Sequence, residues 1–277
     1  MPFDLTKYLE RIDLKLEGAS APTATLDTLR QVMSCHMRSI SFENMDVVCG
    51  RTISINADDI YDKIVKAGRG GYCFEQNGLL SEALKMLGYT VSPLLCRVRW
   101  GKAPKQETAF THMCLKVQIP NGGGAYLSDV GFAGTNSMAP VDLSTPEPQR
   151  LPEGTFHIAN RDGYSFLECQ DRNDASSWLP LYCWHSVPAL VPDLEQSNWF
   201  SCTYASARFT NQFFSCRIIG STRHHVLNGE YVVREMGGEV KSREKVSTKE
   251  RLLDLVTGVF GLSLPEDTDG LDRFLTK

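Results

Sequence analysis

Apolar side chains recur with helical spacing through about the first ninety residues. The first stripe repeats at i, i+3, i+4 and i+7 and comprises Leu5, Tyr8, Leu9 and Ile12. A second stripe with helical spacing comprises Leu26, Leu29, Met33 and Met37. Asn56 is a suitable cap for a third helix, which Gly68 can end. We expect a fourth helix over residues 73–87, closed by Gly88.

After Gly88 the apolar period changes to two, which is the period of a β-strand. The pattern predicts five strands, separated by turns rich in glycine and proline, at residues 91–100, 112–119, 126–130, 164–168 and 178–184. The segment 145–152 contains several prolines, and we expect it to be an exposed loop.

The last eighty residues mix both types of pattern. Residues 213–219 read as a strand, and Asn228-Gly229 between two apolar runs predicts a hairpin. The tetrapeptide STKE at 247–250 has the form of a capping box and predicts a helix behind it. Helices, then strands, then a mixed C-terminal part indicate an α+β fold.

The composition is that of an ordinary globular protein. The chain has 277 residues, 42% of them hydrophobic, and a net charge of −4. This length suggests two or three subdomains, and the negative charge disfavours a general nucleic-acid binder. No apolar run reaches the ~18 residues that span a bilayer. The charged N-terminus, MPFDLTKYLERIDLKLEG, does not resemble a signal peptide, so we expect a cytosolic protein without a membrane partner.

The nine cysteines are scattered and include no CxxC pair, which disfavours a disulfide framework and a zinc site. One of them, Cys73 in GRGGYCFEQNG, stands at the start of a predicted helix. Unpaired backbone N–H groups and the positive end of the helix dipole stabilise a thiolate there. Arg69 either adds positive charge or is paired with a carboxylate. We expect Gly70 and Gly71 to allow a tight turn and to leave space for a substrate.

A reactive thiolate also needs a base and a third group that orients the base. His112 opens one predicted strand and Asp129 belongs to the next, so a hairpin places them side by side. Asp129 then accepts from one ring nitrogen and leaves the other facing Cys73. The residues alone leave an alternative open, in which Cys73 is structural and His112 is only hydrogen-bonded in a core.

The segment RGGYCFEQN, residues 69–77, resembles the active-site signature of the arylamine N-acetyltransferases. Other segments resemble the family in the same order along the chain: SISFENMDV, CRVRW, THMCLKV, YLSDVGF and SNWFSCTYASARF. The resemblance spans nearly the whole chain, and the length is similar to that of the shorter, bacterial members.

The resemblance implies a helical domain at 1–90 that carries the nucleophile, a β-barrel domain at 91–195 and an α/β lid domain at 196–277. It also implies a catalytic core related to the cysteine proteases and transglutaminases. Cys73 is then the nucleophile, His112 its base and Asp129 the orienting carboxylate, with the oxyanion near the backbone N–H of Cys73.

Members of this family transfer an acyl group from coenzyme A to the cysteine, and then to an arylamine, arylhydrazine or arylhydroxylamine. The resemblance therefore implies acetyl-CoA as co-substrate, no bound cofactor, and small aromatic amines or hydrazines as acceptors. Malonyl- or propionyl-CoA as donor stays open, as does a biosynthetic, amide-forming role instead of xenobiotic metabolism. A hydrolase of the same catalytic class and a non-catalytic binding protein are the rival hypotheses.

Several further residues are candidates for supporting roles. We expect Glu43 to pair with Arg69, the alternative being a surface pair elsewhere. The substrate site is expected to include Phe132, Gly131, Val130 and Thr111, with core packing as the alternative for Val130 and a simple turn for Gly131. Ser206 and Thr210 in the lid region are expected to touch CoA. The family commonly continues DVGFG where this chain reads DVGFAG, so Ala133 alters the loop after Asp129.

Overall fold

The structure is a computed structural model that describes residues 3–15, 23–236 and 238–276. Parts of the N-terminal stretch discussed above, residues 1–2 and 16–18, lie outside the described residues. The α-helices are α1 Leu5–Arg11, α2 Leu26–Ser39, α3 Met45–Val48, α4 Ala57–Tyr61, α5 Cys73–Met86, α6 Val191–Thr203, α7 Arg208–Asn211 and α8 Lys249–Asp254. Two π-helical turns extend α4 and α8, Asp62–Lys66 and Leu255–Val259, and a 3-10 turn is formed by Asp269–Phe274.

The predicted helices are confirmed, and polar caps fix where they start. The Asn56 side chain accepts from the backbone N–H of Asp58 at the start of α4. At the start of α8 the cap is Thr248, one residue later than the predicted Ser247, because its hydroxyl accepts from the N–H of Arg251. None of the helices within the described ranges is both long and apolar enough to cross a membrane.

Eight antiparallel strands form the larger sheet, in the spatial order β5-β4-β3-β2-β9-β8-β7-β6. Their bounds are β2 Thr90–Val98, β3 Phe110–Gln118, β4 Ala125–Ser128, β5 Val141–Asp142, β6 Gln149–Leu151, β7 Gly154–Arg161, β8 Tyr164–Gln170 and β9 Trp178–Trp184. The five predicted strands are confirmed with small shifts at their ends. The prediction that 145–152 is only a loop is wrong, because Gln149–Leu151 pairs with the start of β7.

This sheet curls into a nearly closed barrel. Among the described residues, no main-chain ladder joins its two edge strands, β5 and β6. The amide of Gln149 bridges them instead: its Oε1 accepts from the N–H of Asp142 at 2.8 Å, and its Nε2 donates to the carbonyl of Asp142 at 2.9 Å. One side chain thus makes the two bonds that a strand neighbour would otherwise supply.

The second sheet has five strands in the order β1-β10-β11-β12-β13. Its strands are β1 Phe42–Glu43, β10 Phe214–Ile219, β11 Thr222–Leu227, β12 Glu230–Glu235 and β13 Val240–Lys245. Asn228 and Gly229 form the predicted turn between β11 and β12. Phe42 in the N-terminal half pairs with Cys216 in β10, so this sheet is built from both ends of the chain.

The buried side chains form three clusters. The largest lies between the N-terminal helices and the barrel and includes Tyr8, Leu29 and Phe74. A second lies under the C-terminal sheet, and the third fills the barrel. The expected boundary at 195/196 falls inside α6, which packs on β3 of the barrel.

The Gln149 bridge predicts a measurable contribution to stability. Gln149→Ala removes both bonds and leaves two backbone groups of β5 without their partner, so we expect a loss of about 1–2 kcal/mol in the free energy of unfolding. Urea denaturation followed by fluorescence measures it. The exposed helical residue Gln31, changed to Ala, is the matched control and is expected to stay within about 0.5 kcal/mol of wild type. Equal stabilities of the two variants would contradict the bridge.

Candidate active site

Cys73 is the first residue of α5, as predicted, and its side chain is buried. The helix start is fixed by Glu75, whose Oε2 accepts from the backbone N–H of Tyr72 at 3.0 Å. Such a carboxylate in the first turn satisfies one of the unpaired N–H groups and complements the helix dipole. The position of the thiol therefore depends on how Glu75 is held.

Glu75 belongs to a buried cluster of five charged side chains, which we call the ion cluster: Glu43, Asp46, Lys63, Arg69 and Glu75. Lys63 Nζ lies 2.6 Å from Glu75 and 2.7 Å from Asp46. Arg69 Nη2 lies 3.0 Å from Glu43 and 3.1 Å from Asp46. The expected pairing of Arg69 with Glu43 is confirmed, and the charge of Arg69 is used inside this cluster.

Burial shapes the protonation of the cluster. Burial opposes the ionisation of Asp46, but Lys63 and Arg69 hold the pKa of its carboxyl at about 2. Burial raises the pKa of Glu75, and the charge of Lys63 opposes this rise. Lys63 is thus the cation that favours the ionised form of the helix-capping carboxylate of Glu75.

The two glycines before Cys73 do not leave space for a substrate, which corrects the prediction. A Cβ at Gly70 would lie 2.2 Å from the carbonyl oxygen of Ser41, and one at Gly71 would lie 2.8 Å from Cβ of Glu75. Gly71 also accepts from the backbone N–H of Glu43 at 3.1 Å. Glycine is required because β1 and the helix start pack against this segment at backbone distance.

His112 and Asp129 come together as the hairpin predicts. His112 lies in β3, and Asp129 directly follows β4. His112 Nε2 lies 2.7 Å from Asp129 Oδ2, and both side chains are buried. The Cys73 side chain lies close enough to the His112 ring to raise the pKa of the imidazole, and its Sγ lies 3.7 Å from the carbonyl oxygen of Thr111, the residue before His112. The thiol, the imidazole and the carboxylate therefore form a connected series.

The electrostatics favour a charged imidazolium. Burial alone favours the neutral ring, but the charge of Asp129 and its hydrogen bond with the ring raise the pKa of His112 well above its ordinary value. Burial likewise opposes the ionisation of Asp129, but the charge of His112 and hydrogen bonds from His112, Asn77 and the backbone of Gly131 lower the pKa of this carboxyl. Each member of the pair thus favours the charged form of the other.

Asn77 is a residue whose role the sequence reasoning missed. It lies one helical turn after Cys73 and is fully buried. Its Nδ2 donates to Asp129 Oδ1 at 2.9 Å and to the carbonyl of Met113 at 2.7 Å, while its Oδ1 accepts from the N–H of Val130 at 3.0 Å. The i, i+4 spacing from Cys73, which puts both side chains on one helix face, was the available signal.

The loop after Asp129 packs directly on the nucleophile helix. A Cβ at Gly131 would lie 2.6 Å from Cα of Cys73, so this glycine gives room to the protein's own backbone. The Phe132 ring packs edge-on to His112 with centroids 5.2 Å apart, and Tyr182 covers the same imidazole at 4.8 Å. Val130 is part of the helix-facing core, which was the alternative considered for it.

The two lid residues expected to touch CoA, Ser206 and Thr210, lie in and just after the turn between α6 and α7, and their contact with CoA stays a prediction. The Thr210 hydroxyl donates to the carbonyl of Ala207 at 2.9 Å and borders a surface cavity of about 330 Å³ beside Arg273 and Phe274. Ser206 is exposed in the turn between α6 and α7. Within the described part of the chain, neither side chain makes a hydrogen bond to the Cys73, His112 and Asp129 group.

A thiol beside an imidazole that is itself hydrogen-bonded to a carboxylate can carry out nucleophilic acyl transfer, with the imidazole exchanging protons. Over residues 3–15, 23–236 and 238–276, no group of three or more His, Cys, Asp or Glu is placed to hold a metal ion. The geometry therefore defines a candidate cysteine-dependent acyl-transfer site.

Comparison with known proteins identifies the family. A model of a family described as N-acetyltransferase matches residues 25–268. An arylamine N-acetyltransferase of Mycobacterium tuberculosis is 32% identical over 269 residues, which cover 96% of this chain and 92% of the relative. An arylamine acetyltransferase structure from Mycobacterium smegmatis has a TM-score of 0.90 at 30% identity, covering 98% of each chain. The Mycobacterium marinum enzyme in complex with CoA has a TM-score of 0.89 at 30% identity, also covering 98% of each chain. The chain belongs to the arylamine N-acetyltransferase family and is an acyltransferase.

The ion cluster behind Cys73 predicts a pH-dependent stability change. Lys63→Met leaves Glu75 without its cation, while Asp46 keeps Arg69, and we expect the free energy of unfolding to fall by about 3 kcal/mol at neutral pH. Because burial raises the pKa of Glu75 above its ordinary 4.5, the deficit is full at high pH and shrinks as the pH falls towards 4.5 and Glu75 is protonated. Denaturation of both proteins across pH 4–8 measures this difference.

The matched control is Lys85→Met, which removes the exposed pair between Lys85 and Glu82 on the same helix. We expect this variant to stay within about 0.5 kcal/mol of wild type at every pH. A Lys63→Met deficit that does not depend on pH would show that Lys63 contributes by packing and not by its charge.

Proposed function

We propose that this protein is an arylamine N-acetyltransferase that moves an acetyl group from acetyl-CoA, through a thioester on Cys73, to the nitrogen of an aromatic amine. The observation that supports it most is the buried series Cys73–His112–Asp129, with His112 Nε2 at 2.7 Å from Asp129. The M. marinum relative, whose structure contains CoA, supports acetyl-CoA as the donor. Arylhydrazines and arylhydroxylamines are proposed as further acceptors.

In the first half-reaction, the Cys73 thiolate attacks the carbonyl carbon of the acetyl thioester. The backbone N–H groups at the start of α5 are the proposed donors to the oxyanion. The bond between the carbonyl carbon and the CoA sulfur then breaks, and the imidazolium of His112 gives its proton to the leaving sulfur. The product is S-acetyl-Cys73 beside a neutral imidazole.

In the second half-reaction, the amine nitrogen attacks the carbonyl carbon of S-acetyl-Cys73. His112 takes a proton from that nitrogen, and the bond to the Cys73 sulfur breaks to give the N-acetylated amine and the thiolate. Asp129 keeps the ring oriented through both steps and stabilises its charged form. The first half-reaction, by contrast, is energetically balanced because one thioester replaces another.

We also propose the division into a helical part at 1–90, a barrel part at 91–195 and a lid at 196–277, with a catalytic core of the cysteine-protease and transglutaminase type. The strands β2–β9, at 90–184, support a barrel part distinct from the helices before it. The C-terminal sheet after residue 213 supports a separate third part. A cytosolic location and a role in xenobiotic metabolism stay predictions.

The ping-pong cycle predicts a covalent intermediate. After brief mixing with acetyl-CoA, intact-protein mass spectrometry is expected to show one added acetyl group, lost again when an arylamine is added. Cys73→Ala is expected to show no adduct, and Cys169→Ala, which changes another buried cysteine, should behave as wild type. An adduct that discharges rapidly without amine would identify a hydrolase. The absence of any acyl adduct on Cys73 after mixing with acetyl-, propionyl- and malonyl-CoA would overturn the transferase proposal.

The raised pKa of His112 predicts how the first half-reaction depends on pH. The imidazolium form of His112, which protonates the leaving CoA sulfur, is lost as the pH rises through the raised folded-state pKa of His112. Asp129→Asn removes the charge that raises this pKa, so the alkaline limit of Cys73 acetylation should move to lower pH. We expect the maximal rate to fall by roughly 10²–10⁴-fold. Rapid-quench acetylation rates between pH 5 and 10 measure both effects, and an unchanged alkaline limit would contradict the role of Asp129.

A further inference from the structure

A narrow crevice lies beside the Cys73–His112–Asp129 group. Its volume is about 30 Å³, which accommodates about two water-sized atoms. Its apolar walls come from α2, β1, the loop after Asp129 and β10: Met37, Ile40, Phe42, Val130, Phe132 and Ile218. The ring of Phe132 separates the crevice from His112, with centroids 5.2 Å apart. A substrate group in the crevice would thus lie one aromatic ring away from the imidazole.

Arg223 of β11 also lines this crevice. It pairs directly with Ile218 of β10, so its side chain is on the same face of the sheet as the apolar wall. In the part of the chain that the structure describes, no oxygen accepts a hydrogen bond from its guanidinium and no carboxylate forms an ion pair with it. Arg217, which lines the crevice too, differs because its Nη1 donates to the carbonyl of Val259 at 3.2 Å.

The surroundings of Arg223 are positively charged. Arg234 lies directly opposite it on β12, an arrangement of like charges that destabilises a sheet, and Arg172 adds a third positive charge. Glu153 is the acidic group that acts on Arg223, but its Oε2 already accepts from the N–H of Met138 at 3.0 Å. Burial lowers the pKa of Arg223. A half-buried cation without an anionic partner is destabilising, and an anionic ligand would compensate it.

We propose that Arg223 is a specificity-determining residue that binds a carboxylate carried by a substrate of the transfer reaction. This inference rests on the proposed function. The planar guanidinium offers paired N–H donors that match the two oxygens of a carboxylate, and the space for about two water-sized atoms in the crevice fits those two oxygens. The carboxylate has two possible sources, the acyl group of the donor, as in malonyl-CoA, or the ring of the acceptor, as in 4-aminobenzoate.

Kinetics with matched substrate pairs test the assignment and separate the sources. The acceptor pair is 4-aminobenzoate and its neutral amide, 4-aminobenzamide, with acetyl-CoA as donor. The donor pair is malonyl-CoA and propionyl-CoA, with a neutral amine as acceptor. For Arg223→Gln we expect kcat/KM to fall roughly 10- to 100-fold for the charged member of one pair only, and to change less than about twofold for its neutral partner.

Two further variants complete the series. Arg223→Lys keeps the charge without the planar fork, so we expect it to recover part of the lost selectivity. Arg30→Gln makes the same change in charge at an exposed ion pair on α2. For both substrate pairs it should leave the ratio of kcat/KM between the charged and the neutral member as in wild type. Equal losses for the charged and neutral members of both pairs, or a wild type without preference in either pair, would overturn the assignment.

Direct binding makes the result independent of turnover. In a thermal-shift titration, 4-aminobenzoate or malonyl-CoA should stabilise wild type more than the neutral partner does, and this difference should vanish in Arg223→Gln. If Cys73 is acylated and neutral amines are acetylated but no such difference exists, the assignment of Arg223 fails and the transferase proposal stands. If a carboxylate binds through Arg223 but Cys73 is never acylated, the proposed function fails and the anion site stands.

Discussion

The candidate site depends on holding the first turn of α5 against the end of the β3–β4 hairpin. Asn77 makes that connection, because one buried amide bonds to Asp129, to the carbonyl of Met113 and to the N–H of Val130. Three structural parts therefore meet at one side chain: the nucleophile helix, the strand of the imidazole and the loop of the carboxylate. Since each bond is shielded from water, the loss of any of them would leave a buried polar group unpaired.

The two sides of the helix start are held by different physical means. On one side the ion cluster clamps Glu75, and through it the Tyr72 N–H, with charges that compensate each other inside the protein. On the other side the contact is steric, because Gly131 lets the loop approach Cα of Cys73 more closely than a side chain would permit. The ion pair between Lys63 and Glu75 tolerates small displacements, whereas the contact at Gly131 fixes the distance between the loop and Cα of Cys73. Together these contacts determine the position of the Cys73 thiol.

Much of this arrangement could be predicted from the sequence, because local signals and tertiary structure agree. The helix before Gly88, the hairpin at Asn228-Gly229 and the approach of His112 to Asp129 follow from spacing within one or two elements. The close packing around Gly70 could not be predicted, since it depends on β1. The helical spacing of Asn77 from Cys73 was a signal, but it did not reveal the partners of Asn77, which lie in β3 and in the loop after Asp129. The contact of Thr210 with CoA was expected from the sequence pattern and stays a prediction, while its hydroxyl donates to the carbonyl of Ala207.

The pairing of β1 with β10 has a consequence for how the protein is made. The Ser215 hydroxyl donates to the carbonyl of Phe42 across a separation of 173 residues. At a synthesis rate of 5–20 residues per second, β1 waits about 10–30 s on the ribosome before its strand partner emerges. The segment with the Cys73 signature is thus complete long before the sheet that packs beside it. During this interval Phe42 and the other apolar side chains around β1 lack part of their final cover, so the nascent chain exposes a surface to which chaperones can bind.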